Sequence, residues 1–321
     1  MNLQKVDKQV ILDIILPFLR NITDIDFIRY DFSFLNLMDL STNDNLQYFI
    51  EDDKVLWLYK GKQEQYFMPL FRGSPYKTNH MVYINENKLS LNINEDYKKR
   101  IPYSFNFLSC NKEFYEYIYC AKDQLDLAGK TNRTKRKALK SIEDLDIRYY
   151  LGKDVTSELI KDIKGLLSIW KDTFGGLGRV GSWYSRPIKF MSQNLDYMDM
   201  LILAIYDKQG QLVIYSITEK ITNNSVALTD GKANKQLSDK YYSLSKAIQY
   251  LEVSYWAEKM QREDLYFYIG SGSGFKEAET SGADKFKNDL KPCKKHIINV
   301  LRTSRKSIST LKSKRNLFEL P

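Results

Sequence analysis

The chain has 321 residues, of which 43% are hydrophobic and 28% charged, and its formal net charge is +9. That length accommodates two domains, and the composition is that of a globular protein. No apolar run approaches the roughly 18–20 residues of a membrane span, and the N-terminus lacks a signal-peptide core, so we expect a cytoplasmic protein. Three cysteines (Cys110, Cys120, Cys293) without a C-x-x-C pair, and two histidines, argue against a disulfide framework and a zinc site.

The first third of the chain predicts a helix followed by strands. Apolar residues recur with helical spacing over 6–20, and Pro17 is expected to kink the last turn. Two apolar runs, 55–59 and 66–68, predict a β-hairpin that Pro69 ends. Further strand-like runs follow at 82–93 and 113–118.

A basic segment follows at 130–140, with six basic residues and no acid. A helix there aligns four of them on one face. With Lys130 they form a predicted polyanion-binding surface, and we place the domain boundary beside it, between 1–128 and 129–321. The four aligned residues are Arg133, Arg136, Lys137 and Lys140.

The second half alternates strands and helices. A strand at 146–151 precedes a long amphipathic helix for which Asp154 is the expected N-cap. The later elements are apolar runs at 200–206, 212–218 and 225–229, a helix at 243–260, a strand at 265–269 and a last strand at 295–300. Antiparallel strands, then a helix, then a strand ending in glycines match the order of a Gcn5-related acyltransferase fold.

Both halves show a similar coarse order of helix, antiparallel strands and further strand. We therefore predict an α+β protein of two tandem Gcn5-related acetyltransferase-like domains, with mixed, mostly antiparallel sheets flanked by helices.

Two glycine-containing segments bear on phosphate binding. Gly270, Gly272 and Gly274 follow a strand, and their amides can converge on an anion beside Lys276, although a simple turn explains them as well. The segment 229–234 stands where acetyltransferases hold the coenzyme A pyrophosphate, but it contains only Gly231.

The C-terminal region is strongly basic. From 285 to 315 there are eleven basic residues against a single acid, Asp289. This asymmetry favours a phosphate-binding surface over an ordinary solvated face. For 302–321, a mobile tail and a short helix both remain open.

The sequence resembles the phosphatidylglycerol lysyltransferase C-terminal-like family and the related Fem-type transferases. The segments that carry this resemblance are 31–37, 52–57, 65–69, 116–119, 127–137, 241–242, 267–270 and 285–290. It implies two tandem domains with the site in the cleft between them, and a donor that is often an aminoacyl-tRNA. By position, Phe286 and Lys287 match the Phe-Lys pair that meets the donor in a loop, and Asp230 and Lys232 match a pair on the acceptor side.

Three functions are compatible with these features. The first is transfer of an aminoacyl group from aminoacyl-tRNA to an amine or hydroxyl, with Lys287 and Asp230 as catalytic residues. The second is acyl-coenzyme A-dependent N-acyl transfer, and the third is a non-catalytic module that binds polyanions. We expect no cofactor besides the acyl donor, and charged tRNA or an anionic membrane surface as partner. The predicted donor-binding residues are Lys276, Phe286, Lys291, Gly270, Gly272 and Gly274, and the acceptor-side residues are Lys232 and Tyr242.

Overall fold

The computed structural model describes residues 4–22, 28–43, 46–51, 55–60, 65–71, 88–94, 109–175, 185–274 and 282–304. Within these ranges the strands form a single 12-stranded sheet. The strands are β1 (Gln4–Lys5), β2 (Gln47–Glu51), β3 (Val55–Lys60), β4 (Gln65–Phe71), β5 (Lys88–Asn94), β6 (Ser109–Cys120), β7 (Asp146–Leu151), β8 (Met200–Tyr206), β9 (Leu212–Thr222), β10 (Ser225–Ala233), β11 (Tyr266–Gly274) and β12 (Lys294–Ser304).

Helices cover both faces of this sheet. The α-helices are α1 (Lys8–Val10), α2 (Leu16–Arg20), α3 (Phe34–Asn43), α4 (Ala121–Leu125), α5 (Arg133–Lys140), α6 (Ser157–Gly175), α7 (Arg186–Ser192), α8 (Lys235–Ser238), α9 (Leu244–Met260) and α10 (Gly282–Asp289). Among the described residues, no helix has both the length and the apolar character that crossing a membrane requires.

The strand order reveals an internal repeat. The order is β1-β2-β3-β4-β5-β12-β6-β11-β10-β9-β8-β7. From the opposite edge it begins β7-β8-β9-β10-β11, so these five strands occupy the positions that β1 to β5 occupy at the first edge. The pairing directions repeat as well. β3–β4 and the equivalent pair β9–β10 are antiparallel, whereas β4–β5 and the equivalent pair β10–β11 are parallel. The predicted α+β tandem fold is therefore confirmed, as one continuous sheet, whereas the boundary between 128 and 129 stays a prediction.

The two halves exchange their last strands. β6, from the first half, pairs with β11, and β12, from the second half, pairs with β5. β6 and β12 pair with each other at the centre of the sheet. This exchange brings together Cys120 and Cys293, 173 positions apart, and they form a disulfide with Cα atoms 5.8 Å apart. The expectation that the cysteines would not form a disulfide framework therefore missed this one bond.

The core lies on both faces of the sheet, which is why β8 is buried at every position. On one face, Ile202 packs in a cluster with Leu19 of α2 and Ile163 of α6. On the other, Leu203 packs in a cluster with Ala138 of α5 and Ala247 of α9.

Several local predictions are corrected. Pro69 lies inside β4, opposite Trp57, and the strand continues to Phe71. The pairing of β4 with β5 ends at Phe67, so Pro69 lies where one side of the strand has no ladder, a position at which proline is tolerated. Asp154 lies in a 3-10 turn, and the Thr156 hydroxyl instead accepts from Leu159 N at the start of α6.

Two predicted loops are regular structure. The glycine run belongs to β11, because Ser271 and Gly274 pair with Glu116 and Phe114 of β6. The Phe286–Lys287 pair lies in helix α10 rather than in a loop. The last strand extends to Ser304, and residues 305–321 lie outside the described part of the chain.

Candidate functional site

The candidate site lies where β10 and β11 separate. Their parallel pairing ends at Ala227 and Tyr268. Beyond that point β10 stays paired with β9 as far as Ala233, and β11 with β6 as far as Gly274, so a gap opens between the two strands. Ligands of open sheets bind beyond the carboxyl ends of parallel strands. The 3-10 turn Tyr30–Phe32 of the first half contacts both strands, so both halves contribute to this opening.

An amine lies beside the middle of β11, two residues beyond Tyr268, where the pairing with β10 ends. Gly270 has a φ of +55°, in the left-handed region that favours glycine. A Cβ at this position would lie 3.6 Å from Nζ of Lys287, which projects from α10. Nζ is 5.7 Å from the centre of the Tyr117 ring, and the Tyr117 hydroxyl donates to Asp284 at 2.5 Å. Gly270 and Lys287, predicted separately as donor-binding and catalytic residues, therefore lie together.

The surroundings of Lys287 change its protonation. Its side chain is almost fully buried, and burial lowers its pKa to about 8, although the charges of Asp284 and Glu116 oppose the shift. The amine is therefore mostly protonated at pH 7 and mostly neutral at pH 9. A buried amine with such a pKa beside an opening in a sheet is a candidate for catalysis.

A second polar group lies on β10. Asp230 is buried, and its carboxylate accepts from the Tyr215 hydroxyl at 2.7 Å and from Nζ of Lys232. The Lys232 ammonium also lies 5.4 Å from the centre of the Trp170 ring of α6. Tyr215 and Tyr117 belong to different core clusters, so Asp230 and Lys287 approach the opening from opposite faces of the sheet.

Buried charges hold the first half against this opening. Glu116 is fully buried on β6 and accepts from Tyr30 N at 2.8 Å. Burial raises the pKa of Glu116, and the charges of Arg29 and His296 oppose that rise. Arg29 also pairs with Asp31 at 2.5 Å. The cluster joins the turn over the opening to the two central strands.

Glu219 of β9 makes a second connection between the halves. Its carboxylate accepts from Leu35 N, in the first turn of α3, at 3.0 Å, and also from the Thr229 hydroxyl of β10. Burial raises the pKa of Glu219 to about 7, although these hydrogen bonds oppose the rise. Because α3 belongs to the first half and β9 and β10 to the second, Glu219 links the two beside the opening.

The basic segment forms the predicted helix, α5. Arg133, Lys137 and Lys140 are exposed on it, as is Lys130 in the turn before it. Arg136 is also exposed, but its guanidinium donates to the carbonyls of Leu127 and Gly129. Nζ of Lys137 lies 5.8 Å from the centre of the exposed Tyr242 ring. Tyr242, predicted on the acceptor side, therefore lies beside the basic helix α5 rather than beside Asp230.

The other predicted residues are dispersed. Phe286 is exposed on α10. Gly272 and Gly274 form part of the β11 backbone. Lys291, after the end of α10, lines a separate cavity, and Lys276 lies outside the described residues.

Sequence reasoning missed the buried carboxylates. Glu116, Glu219 and Glu252 are all buried, and none was singled out. Their signal is an isolated acid inside an otherwise apolar strand or helix face, as for Glu116 between two tyrosines. Such a pattern indicates burial only once the neighbouring elements are known.

Glu252, buried on α9, yields a prediction about stability and pH. Burial raises the pKa of Glu252 to about 8, well above the usual range of a glutamate carboxyl, and the neighbouring Ser216 hydroxyl offsets part of this rise. Between about pH 4.5 and 8 the folded state therefore keeps a proton on Glu252 that the unfolded state releases. The contribution of Glu252 to the free energy of unfolding is complete below about pH 4.5 and is lost as pH rises through 8. Glu252→Gln should raise the free energy of unfolding at pH 9 by on the order of 2–4 kcal/mol, with little change at pH 5.

Denaturant unfolding at both pH values measures this effect. Glu258→Gln is the matched control, because Glu258 is exposed on the same helix. Equal stability of wild type and Glu252→Gln at pH 9 would contradict the assignment.

Comparisons with known proteins define the fold. No protein-family model matches the chain, and no curated protein does. Several solved structures match over nearly its whole length, and three of them define the likeness. A conserved protein of unknown function from Bacteroides thetaiotaomicron has a TM-score of 0.70 and 16% identity, covering 94% of this chain and 98% of its own. L-PGS from Bacillus licheniformis has a TM-score of 0.63 and 13% identity, covering 99% of both chains.

The third is the C-terminal domain of a putative lysylphosphatidylglycerol synthetase from Agrobacterium fabrum. It has a TM-score of 0.60 and 9% identity, covering 97% of this chain and 96% of its own. At these identities the likeness concerns the fold. The chain therefore has the fold of lysylphosphatidylglycerol synthetase C-terminal domains, and the resemblance predicted from its sequence is confirmed at that level.

Proposed function

We propose that the protein is an aminoacyltransferase that moves an aminoacyl group from aminoacyl-tRNA to an amine or hydroxyl acceptor. The observation that carries the proposal is the buried Lys287 amine beside the left-handed Gly270, just beyond the point where β10 and β11 separate. The acyltransferase character of the neighbouring folds and the exposed basic helix α5 support it.

The reaction is attack of the acceptor on the ester carbonyl of the donor. The bond between the acceptor atom and the carbonyl carbon forms, the ester bond to the ribose breaks, and the ribose oxygen leaves. Such a reaction depends mainly on positioning and on stabilising the developing oxyanion. Protonated Lys287 supplies the positive charge for the oxyanion or a donor phosphate.

Asp230 takes the proton that the acceptor loses, directly or through a water. Its two oxygens already accept from Tyr215 and Lys232, which fixes the orientation of the carboxylate. Each carboxylate oxygen has a second lone pair, so these bonds leave it able to accept a further proton.

One feature of β10 disfavours coenzyme A as the donor. Gly231 lies inside the strand, opposite Ser216, rather than in a loop before a helix. A Cβ at Gly231 would lie 3.2 Å from the Tyr215 carbonyl oxygen, so close packing between strands explains the glycine. Gly231, which stands where acetyltransferases hold the coenzyme A pyrophosphate, thus has a structural role.

The proposal predicts which surface binds the tRNA. Replacing Arg133, Lys137 and Lys140 by alanine should weaken tRNA binding and reduce the slope of log K against log salt by about 2–3, because each lost phosphate contact removes roughly 0.7–0.9 from it. Arg136 is left in place, since it also bonds the preceding turn.

Filter binding between 50 and 300 mM salt provides the measurement. The control is a triple alanine variant of Lys161, Lys164 and Lys171, three exposed lysines on α6. Equal loss of slope in both variants would show that net charge, and not α5, determines binding.

Donor identity is tested by chemistry. The purified protein is incubated with labelled aminoacyl-tRNAs and, separately, with labelled acetyl-coenzyme A, in the presence of amine and hydroxyl acceptors. We expect transfer of the label from at least one aminoacyl-tRNA to an acceptor, and no transfer from acetyl-coenzyme A. Transfer from coenzyme A alone would establish the N-acyltransferase alternative, and transfer from neither would leave a binding module.

A further inference from the structure

A polar cavity lies apart from the candidate site, between α4, α5, α9 and the turn after α10. Its volume is about 350 Å³, at the lower end of the roughly 300–1,000 Å³ of ligand pockets. Neither Lys287 nor Asp230 lines it. The lining side chains that matter for binding are Asp123, Asp289, Lys135, Lys246, Gln249 and Lys291.

One of the lysines in the lining is committed to the fold. The ammonium of Lys135 donates to the carbonyls of Asp123, Gln124 and Asp126 at 3.0, 2.6 and 3.0 Å. These bonds close the C-terminal end of α4. Burial lowers the pKa of Lys135. The carboxylates of Asp126 and Asp123 oppose this shift, and the positive charges of Lys291 and Lys246 add to it, so both of these ammonium groups lie close enough to Lys135 to repel it.

The cavity lining includes one buried side-chain donor without an acceptor. Gln249 is 4% exposed, and its Nε2 has no hydrogen-bond partner among the described residues. Such an orphaned buried donor costs about 1–3 kcal/mol unless a ligand or water accepts from it. Lys246, one helical turn earlier on α9, is half-buried and forms no ion pair within the described ranges. The carboxylates of Asp123, Asp126 and Asp289 are exposed, so solvent screens them, as it screens the exposed Lys291, whereas Lys246 is better shielded.

The backbone at Lys291 adds an independent observation. Lys291 has a φ of +57°, and its N–H donates to the Asn288 carbonyl just beyond the end of α10. Helices commonly end with glycine in this conformation, because a side chain there costs roughly 1 kcal/mol. Here the residue in this conformation is Lys291 rather than glycine, so the chain accepts that conformational cost and has a positive charge at the cavity. Strained residues of this kind concentrate at ligand sites.

We infer that this cavity binds the phosphate group of a phosphate monoester, with Gln249 Nε2 donating a hydrogen bond and Lys246 and Lys291 balancing its charge. A phosphate dianion concentrates its charge on one tetrahedral group that can meet both lysines and the amide at once, whereas a dicarboxylate spreads the same charge over two planar groups. The cavity is larger than a phosphate, so an organic group or a terminal nucleotide fits beside it. The inference does not depend on the proposed transferase activity.

Titration calorimetry of the full chain tests this site with inorganic phosphate and with malonate as a dicarboxylate. We expect phosphate to bind and malonate to bind at least tenfold more weakly. Lys246→Met and Gln249→Leu should each reduce phosphate affinity by about ten- to hundredfold, the effect of losing a hydrogen bond to a charged group. Lys240→Met is the matched control, because Lys240 is exposed just before α9.

Thermal unfolding without phosphate shows whether each variant folds. Lys246→Met removes no bond of the fold, so it keeps the test valid if Gln249→Leu unfolds. Absence of phosphate binding by the wild type, unchanged affinity in Lys246→Met, or equal binding of malonate would overturn the inference.

A further arm identifies the source of the phosphate. The 5′-phosphorylated and 5′-hydroxyl forms of one RNA hairpin are compared by the same titration. Tighter binding of the phosphorylated form that Lys246→Met abolishes indicates a terminal phosphate of RNA. Equal binding of the two forms, with inorganic phosphate still bound, indicates a small phosphorylated molecule.

Discussion

Replacing Lys287 by methionine is expected to lower the rate of aminoacyl transfer by about 10²–10³-fold, the usual cost of removing one group that stabilises an oxyanion. Methionine keeps most of the side-chain volume and removes the charge. The wild-type rate should also fall as pH rises through about 8, because the protonated amine is the active form and burial lowers its pKa to that value. Single-turnover assays of labelled aminoacyl-tRNA between pH 6.5 and 9.5 measure both effects.

Lys285→Met is the matched control for this experiment. Lys285 is an exposed lysine on the same helix, two positions earlier, and should leave the rate unchanged. An unchanged rate in Lys287→Met would remove the residue from the site. A wild-type rate that instead rises through pH 8 would make the neutral amine the active form.

Loss of the Cys120–Cys293 bond is expected to reduce the free energy of unfolding by about 3–5 kcal/mol. The bond closes a loop across 173 positions of sequence, and in the chain-entropy model long loops give large effects. Cys293 is exposed and Cys120 half-buried, so the double serine variant removes little packing. Denaturant unfolding of wild type and variant measures the difference.

Reduction provides the control for the disulfide. Dithiothreitol should lower the stability of the wild type to that of the double serine variant and leave the variant unchanged. If the oxidised and reduced wild type unfold at the same denaturant concentration, the bond does not stabilise the native state.

Local sequence patterns predicted the strands well where burial is continuous. Met200–Tyr206 was predicted with the observed bounds because it is apolar throughout and buried on both faces. Asp146–Leu151 was also predicted with the observed bounds, although this edge strand is only partly buried. The hairpin of β3 and β4 followed from two apolar runs around a glycine. Each of these elements depends mainly on its own residues and its neighbour in sequence.

Features that depend on distant pairing were not predictable. The glycines after Ile269 resemble a loop in isolation, but β6 supplies partners to them from more than 150 positions away. The disulfide has the same origin, since only the strand exchange brings Cys120 to Cys293. No periodicity in one segment encodes such a contact.

The candidate site was predicted only in pieces. The sequence indicated Lys287 and Gly270 separately, and the structure brings them together beside the opening between β10 and β11. It also assigned Tyr242 and Lys232 together to the acceptor side, whereas the centre of the Tyr242 ring lies 5.8 Å from Nζ of Lys137. A resemblance of short motifs indicates residue types and their order, but the packing of helices decides which of them meet.

The most direct test of the account is a structure with an aminoacyl-adenosine whose ester is replaced by an amide, so that it mimics the charged end of tRNA without reacting. The account predicts its aminoacyl carbonyl in the gap between β10 and β11, within hydrogen-bond distance of Lys287 Nζ. A bound analogue whose carbonyl lies elsewhere, in the cavity beside α5 or on the outer surface of the sheet, would contradict it.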